Sequence, residues 1–207
     1  MAEQIVPYAL TTRQRVKDRL TITAASFDVL IDRLVSAMTD YIESRTGRRF
    51  KQTTYAQEVY SIYGAKPSRI FLKQAPASAL TSFQYRTGLP SSPVWTDFPT
   101  GNYELEQDGA TGIIRVYGGL IGGINQVRAT YTAGYLIDFP NAGQSTHTLP
   151  FDLSDLCERL TIKLFKRRES EGRQSEAFEG GTIQWKDLIS PEDQTIINRY
   201  TRKQIFF

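Results

Sequence analysis

The residues able to do acid–base, nucleophilic or metal chemistry are few in this sequence and poorly spaced for it. The chain holds one histidine, His147, and one cysteine, Cys157. A single thiol forms no intrachain disulfide, and one His with one Cys cannot assemble a Cys/His zinc site. Ser-His-Asp catalysis would have to use His147, which sits in NAGQSTHTLP, a stretch that reads as a flexible loop. Cys157 falls within an apolar stripe and is most simply a small buried hydrophobe. Glu104 and Glu106 are the nearest approach to a glycosidase-type carboxylate pair. They alternate along an expected strand and so point the same way, on what reads as a solvated face. The glycine-rich GGLIGG at 118–123 lacks the Lys-Ser/Thr ending of a phosphate-binding loop and does not open a helix after a parallel strand, so turns or a bulge are expected there. No catalytic set, cofactor site or metal site is expected.

Basic residues gather at two places, Arg48 with Arg49, and Lys163, Lys166, Arg167 and Arg168. The net charge of +3 is too small to imply a nucleic-acid footprint by itself, because binders concentrate many Lys and Arg on one face. A solvated helix end that complements the helix dipole, and a contact with acidic protein surface or DNA, both remain open for Arg48, Arg49, Lys166, Arg167 and Arg168. These residues are interleaved with acids, and no known DNA-reading motif accompanies them.

The elements that must position these residues begin with 26–50, SFDVLIDRLVSAMTDYIESRTGRRF. Phe27, Leu30, Ile31, Leu34, Ala37, Met38, Tyr41 and Ile42 recur at the three-and-four spacing of one helix face. Ser26 is the expected cap, Asp28 complements the dipole, and Gly47 closes the last turn. Before it, LTTRQRVKDRL reads as a short helix capped by Thr11 or Thr12, packed on the long one through Val16, Leu20 and Ile22. From 51 to 135 the pattern is of strands: Tyr55 to Tyr63, SRIFLK, ALTSFQYR, Trp95 to Phe98, Tyr103 to Leu105, Ile113 to Val116, and NQVRATYTAGY, with QDGATG a strong turn signal. Helix resumes after Pro150, with Asp152 and Asp155 near its start and Leu153, Leu156, Cys157, Leu160 and Leu164 on one face. The segment 169–181 has loop composition. Ser190-Pro191-Glu192-Asp193 is a second helix start, with a Ser cap, a Pro at the first position and an acid three residues after the cap. The fold class expected is α+β: a small helical bundle with an inserted antiparallel sheet or sandwich and a C-terminal helix and tail.

Composition is that of an ordinary soluble protein near the upper edge of a single domain. No apolar run approaches the about 20 residues that span a bilayer, and the N-terminus lacks a signal-peptide pattern, so a cytoplasmic origin is expected.

Several of these segments together resemble the head-tail connector proteins, also called head-completion or adaptor proteins, of tailed bacteriophages and related gene transfer agents. The resemblance rests on LTTRQRVKDRL, on the long helix closing in YIESRTGRRF, and on VRATYTAGY before the Pro-led helix PFDLSDLCERLTIKLFKRRESEG. TYTAGY is the most specific of these and the ESRTGRRF helix end comes next. The match covers 1–50 and much of 127–172, and the strands between look like the larger insertion some members carry. It implies a helical connector core at 1–50 and 136–172, an inserted β-rich subdomain at 51–135, and a docking segment at 173–207. It further implies a structural virion protein of the neck, not an enzyme, forming a twelve-copy ring between the portal protein and the tail or next neck protein, with viral DNA passing through the lumen. Portal or partner docking is carried over to Ile196, Ile197, Tyr200, Ile205, Phe206 and Phe207. The expectation is that the loop before this helix lets it swing away from the core.

Overall fold

The structure, a computed structural model, describes residues 5–64, 68–89, 91–141, 147–168, 175–178, 181–184 and 188–202, with the backbone alone at 89, 141, 175–178 and 181–184. It is an α+β protein of two compact units, Met1–Arg48 with Ile137–Arg202 and, among the described residues, Arg49–Leu136.

In the first unit, helix α1 (Arg13–Leu20) starts where Thr12 Oγ1 accepts from the Arg15 amide at 3.3 Å. Helix α2 (Asp28–Thr46) is entered through a 3-10 turn at Ala25–Phe27 without a side-chain cap, so the Ser26 cap expected from sequence is not made. The turn has already wound the chain, and Asp28 in the first helical turn supplies the negative charge instead. Gly47, at φ 64°, closes the helix as expected. Helix α3 (Phe151–Arg167) follows Pro150, and helix α4 (Pro191–Tyr200) opens with a complete capping box between Ser190 and Asp193.

Helices α2 and α3 run antiparallel: Phe27 meets Phe165 edge-on at 5.4 Å, and Thr39 Oγ1 lies 3.7 Å from Cys157 Sγ. Helix α4 returns along α3, with Asp193 beside Lys163 and the Tyr200 hydroxyl on Asp152 at 2.7 Å. Val16 packs with Ile31, Val35 and Phe165, flanked by Leu20 and Ile22. The buried stripe of α2 is Ile31, Val35, Met38 and Ile42, while Leu30 and Leu34 are half-buried and Ala37 is exposed. The stripe is rotated from the expected one because Asp32, Thr39, Glu43 and Thr46 share the burial. Asp32 takes a forked pair of bonds from Arg13, both 2.7 Å, and Thr39 Oγ1 accepts from the Leu10 amide. Polar side chains with partners can occupy core positions that a count of apolar residues assigns to solvent. On α3, Leu153, Leu156, Cys157 and Leu160 are fully buried, and Phe165 rather than Leu164 completes the face.

Among its described residues the second unit holds seven antiparallel strands: β1 (Thr53–Ile62), β2 (Arg69–Phe71), β3 (Ala77–Leu89), β4 (Ser92–Asp97), β5 (Tyr103–Leu105), β6 (Ile113–Val116) and β7 (Gly123–Ala133). They form one sheet of order β1-β7-β3-β4 and another of order β2-β6-β5. Residues of both sheets meet in one core, with Ile70, Phe83, Ile114, Val116, Val127 and Tyr131 buried together and Phe83 stacked on Phe98 at 4.6 Å. Central strand β7 alternates as a half-buried strand should: Val127, Ala129, Tyr131 and Ala133 turn inward while Arg128, Thr130 and Thr132 turn outward. TYTAGY ends this strand. Gly134 sits at φ 105°, and a β-carbon there would stand 2.7 Å from the Lys51 carbonyl oxygen, so only glycine lets β7 leave the sheet beside that backbone. A bulge at Gln57 (φ 51°) shifts the β1–β7 register between Tyr55 and Glu58.

Between α3 and α4 the chain makes a small antiparallel hairpin, β8 (Ser175–Phe178) with β9 (Gly181–Gln184). The loop expected across 169–181 is therefore partly paired strand. A four-residue pairing leaves little room for a hydrophobic pattern by which to recognise it.

Candidate assembly surfaces

The residues with chemical potential are absorbed into structure. His147 is buried: its Nδ1 accepts from the Asp138 amide at 2.9 Å and its ring tilts against Phe139, which also lies under the Arg15 guanidinium, while 142–146 of the expected loop lie outside the described residues. Cys157 is sealed between α2 and α3, and burial pushes its thiol up to about 12, far from a thiolate at neutral pH. Glu104 and Glu106 do not alternate on one strand, because β5 stops at Leu105 and Glu106 opens a 3-10 turn whose Gln107 and Asp108 have left-handed backbone. Glu104 accepts from the Tyr117 hydroxyl, while Glu106 is gripped by Arg115 and by Arg69, which hold its carboxyl below the usual range. The two carboxylates therefore do not share one strand face as the sequence suggested.

A third acid was not singled out in the sequence. Glu58 Oε2 receives the hydroxyls of both Tyr60 and Tyr131, the latter at 2.6 Å, and Lys73 Nζ lies 3.1 Å from Oε1. Burial opposes its charge, but the bonds from Tyr131, Tyr60 and Lys73 outweigh it and lower the carboxyl's pKa, while burial and the carboxylate together raise both phenols. The carboxylate and the two phenols tie β1 to β7 as a clamp. Among the described residues no group of His, Cys, Asp and Glu could hold a metal ion, and no helix is long and apolar enough to cross a membrane.

The basic residues do not converge. Arg48 follows the C-terminus of α2, and its guanidinium reaches toward the Tyr200 carbonyl. Lys166, Arg167 and Arg168 lie at the other end of the helix pair, where Arg168 stacks over Phe165 at 4.2 Å and over Phe27 at 5.4 Å. The 19 residues of α2 separate the two groups by about 28 Å at ~1.5 Å per residue. Arg49 begins the second unit, its amide bonded to Gln74.

The expected docking residues divide. Ile197 is 2% exposed within the helical unit, and the Tyr200 hydroxyl is spent on Asp152. Helix α4 is pinned by Asp193, which is fully buried, caps its own helix, and meets Lys163 Nζ at 2.6 Å and Arg159 Nη1 at 3.0 Å. At the far end Arg199 pairs with Asp152 and the Arg202 amide bonds to the Thr46 carbonyl. In this structure helix α4 is thus seated on its own helical unit by ion pairs and hydrogen bonds at both ends. Ile196 keeps a half-exposed side chain, and Ile205, Phe206 and Phe207 lie outside the described residues.

Among the described residues, the most exposed large apolar side chains are elsewhere. Ile121 (79%), Ile124 (70%) and Tyr63 (65%) occupy the segments that meet where β1 ends and β7 begins, since Ile62 pairs with Gly123. Phe151, at the start of α3, is 65% exposed. Ile121 and Ile124 fall in the uncharged run 116–127, whose glycines read as turns.

The architecture, a helical unit with an inserted two-sheet β unit, is that of proteins from the necks of phage-like particles. The whole chain superimposes on 97% of a chain in the neck of a native gene transfer agent particle computed with C12 symmetry, with a TM-score of 0.56 and 18% identity. It superimposes equally completely on 97% of a chain in the neck of an empty particle computed with C6 symmetry (TM-score 0.58, 18% identity) and on 96% of one in the native virion (0.60, 18%). No protein-family model and no curated protein matches the sequence.

Proposed function

We propose that this chain is a structural protein of a virion neck, forming a closed ring between the portal and the tail through which viral DNA passes. The observation that carries this reading is the likeness in fold, over the whole chain, to neck components of a particle computed with C12 symmetry. Such a role asks for subunit interfaces and docking elements and for no cofactor, and the titratable groups described above serve packing. In this reading the helical core is 1–50 with 136–172, the inserted β-rich subdomain is 51–135, and docking belongs to the 173–207 segment. Because α4 is seated, docking falls to Ile196 and to Ile205, Phe206 and Phe207, on an apolar surface of a neighbouring protein in the neck. The protein assembles in the host cytoplasm and resides in the virion.

Mass measurement and electron microscopy of the purified chain, alone and with portal protein, test the ring. The expected particle contains twelve protomers of 23.5 kDa in a closed cyclic arrangement. Dimers or tetramers alone, with portal present, would overturn it.

A further inference from the structure

Several charges of the second unit are matched where they stand: Lys73 pairs with Glu58, and Arg69 and Arg115 share Glu106. Arg86 and Arg128 meet no carboxylate. Gln84 and Arg86 stand two apart on β3 and so share a face, and the residues opposite them, Arg128 of β7 and Trp95 of β4, stand on it with them. The Arg128 guanidinium is held by neutral groups. Its Nε donates to Gln84 Oε1 at 2.5 Å, its Nη1 to Gln57 Oε1 at 3.2 Å, and the Trp95 ring lies 4.6 Å from it. No hydrogen bond or ion pair reaches the Arg86 guanidinium, and Asp97, opposite Gln84 on β4, is taken by Gln84 Nε2 at 2.7 Å. Two half-buried guanidinium groups on neighbouring strands, without a counter-charge, repel each other until an anionic group covers them.

The same unit carries the complement at its other end. Of its acids, Glu58, Asp97, Glu104 and Glu106 each accept a hydrogen bond, whereas Asp108 is exposed and has no partner among the described residues. Asp108 stands in the turn after β5, where it and Gln107 have left-handed backbone, and Gly109 beside it is wedged so tightly on β3 that a β-carbon there would collide with the Ala77 carbonyl oxygen. Arg86 lies nine residues beyond Ala77 on that strand, about 30 Å at ~3.3 Å per residue. One copy therefore cannot bring its own Asp108 to its own Arg86 and Arg128. A ring of cyclic symmetry needs two different, complementary patches on each copy, and this unit holds one at each end of β3.

We infer that the Asp108 turn of one copy seats on the Arg86–Arg128 face of the next, a charged head-to-tail contact that sets the order of subunits around the ring. This names an interface between neighbours and rests on the ring reading above.

Assembly of the full chain, read by mass measurement and electron microscopy with portal protein present, tests it. Arg86→Glu/Arg128→Glu and Asp108→Lys each set like charges face to face, so each variant alone should form closed rings at least about tenfold less than the wild type. Mixed in equal amounts the two should assemble again, because each supplies the charge the other lacks, into rings that alternate the two chains. Only a contact between copies gives that rescue. Rings formed equally well by either variant alone, or no recovery on mixing, would overturn the contact and leave the ring standing; a wild-type chain that forms no ring would overturn both. Loss of duplex-DNA binding in Arg86→Glu/Arg128→Glu with its rings intact would assign the face to nucleic acid instead. Melting temperatures near that of the wild type are expected. Where a reversed chain unfolds, Arg86→Gln/Arg128→Gln and Asp108→Asn, whose asparagine suits left-handed backbone, take its place and should each lower the ring fraction; unchanged fractions in both would overturn the inference.

Discussion

Asp193 shows how far one residue can be read. Its sequence context, SPED, announces a capping box, and the box is made. What the spacing could not give is that the same carboxylate is fully buried and shared with Lys163 and Arg159 of α3, which makes a local cap into the fastening of a whole helix. Asp193→Asn keeps the cap's shape and removes the charge. It should cost roughly 2 to 3 kcal/mol in urea unfolding, short of the ~3 to 5 of a wholly dry pair because Lys163 and Arg159 reach solvent. The pH dependence has a definite sign. Burial works against the charge of Asp193, but Lys163 and Ser190 outweigh it, so the folded-state pKa lies below the ordinary 3.8. Its contribution is therefore complete above that ordinary value and is lost as pH falls through the lower folded value. Unfolding midpoints measured from neutral pH down into this acid range should fall more steeply for the wild type than for Asp193→Asn.

At the scale of elements, the expected pairing of the long helix with the Pro-led helix is present, and its energetics follow the burial found. Leu160 is fully buried on α3, so Leu160→Ala should destabilise by roughly 2 to 5 kcal/mol, the usual cost of a large-to-small core change. Leu34 is only half-buried at the margin of the cluster, and Leu34→Ala should cost about 1 kcal/mol, in proportion to the apolar area it hides. Equilibrium denaturation of the two variants checks the order as well as the sizes; equal losses would place Leu34 deeper than the structure does. Each of the seven strands up to 135 was visible as a β-branched or aromatic run. Their division into two sheets was not, because antiparallel neighbours in a sheet share no local pattern that says which run pairs with which. Strand β2 pairs with β6 and not with β1 or β3, its neighbours along the chain.

For the whole molecule, separating the basic residues to opposite ends of the helix pair bears on the DNA-binding alternative. Tight duplex binding draws on several phosphates contacted from one face, and two small clusters about 28 Å apart supply few such contacts together. Mobility-shift titrations of the purified chain should show only weak binding to duplex DNA, vanishing at about 150 mM salt. Strong binding lost in a Lys166→Ala/Arg167→Ala variant would restore the alternative. By itself the sequence determined the elements of this protein, the helix starts at Thr12 and Ser190, the helix stop at Gly47 and the strand-dense middle. Those features are written in spacing, caps and turn residues that act over a few positions. It also showed that one His and one Cys cannot assemble a Cys/His zinc site or an intrachain disulfide. Only the tertiary structure decided that Asp32, Thr39 and Asp193 belong to the core, that α4 is fastened in place, and that Tyr63, Ile121 and Ile124 share one exposed tip. Burial of a polar group depends on a partner far along the chain, and exposure of an apolar one on the absence of any neighbour, and neither is a property of a residue and its near sequence.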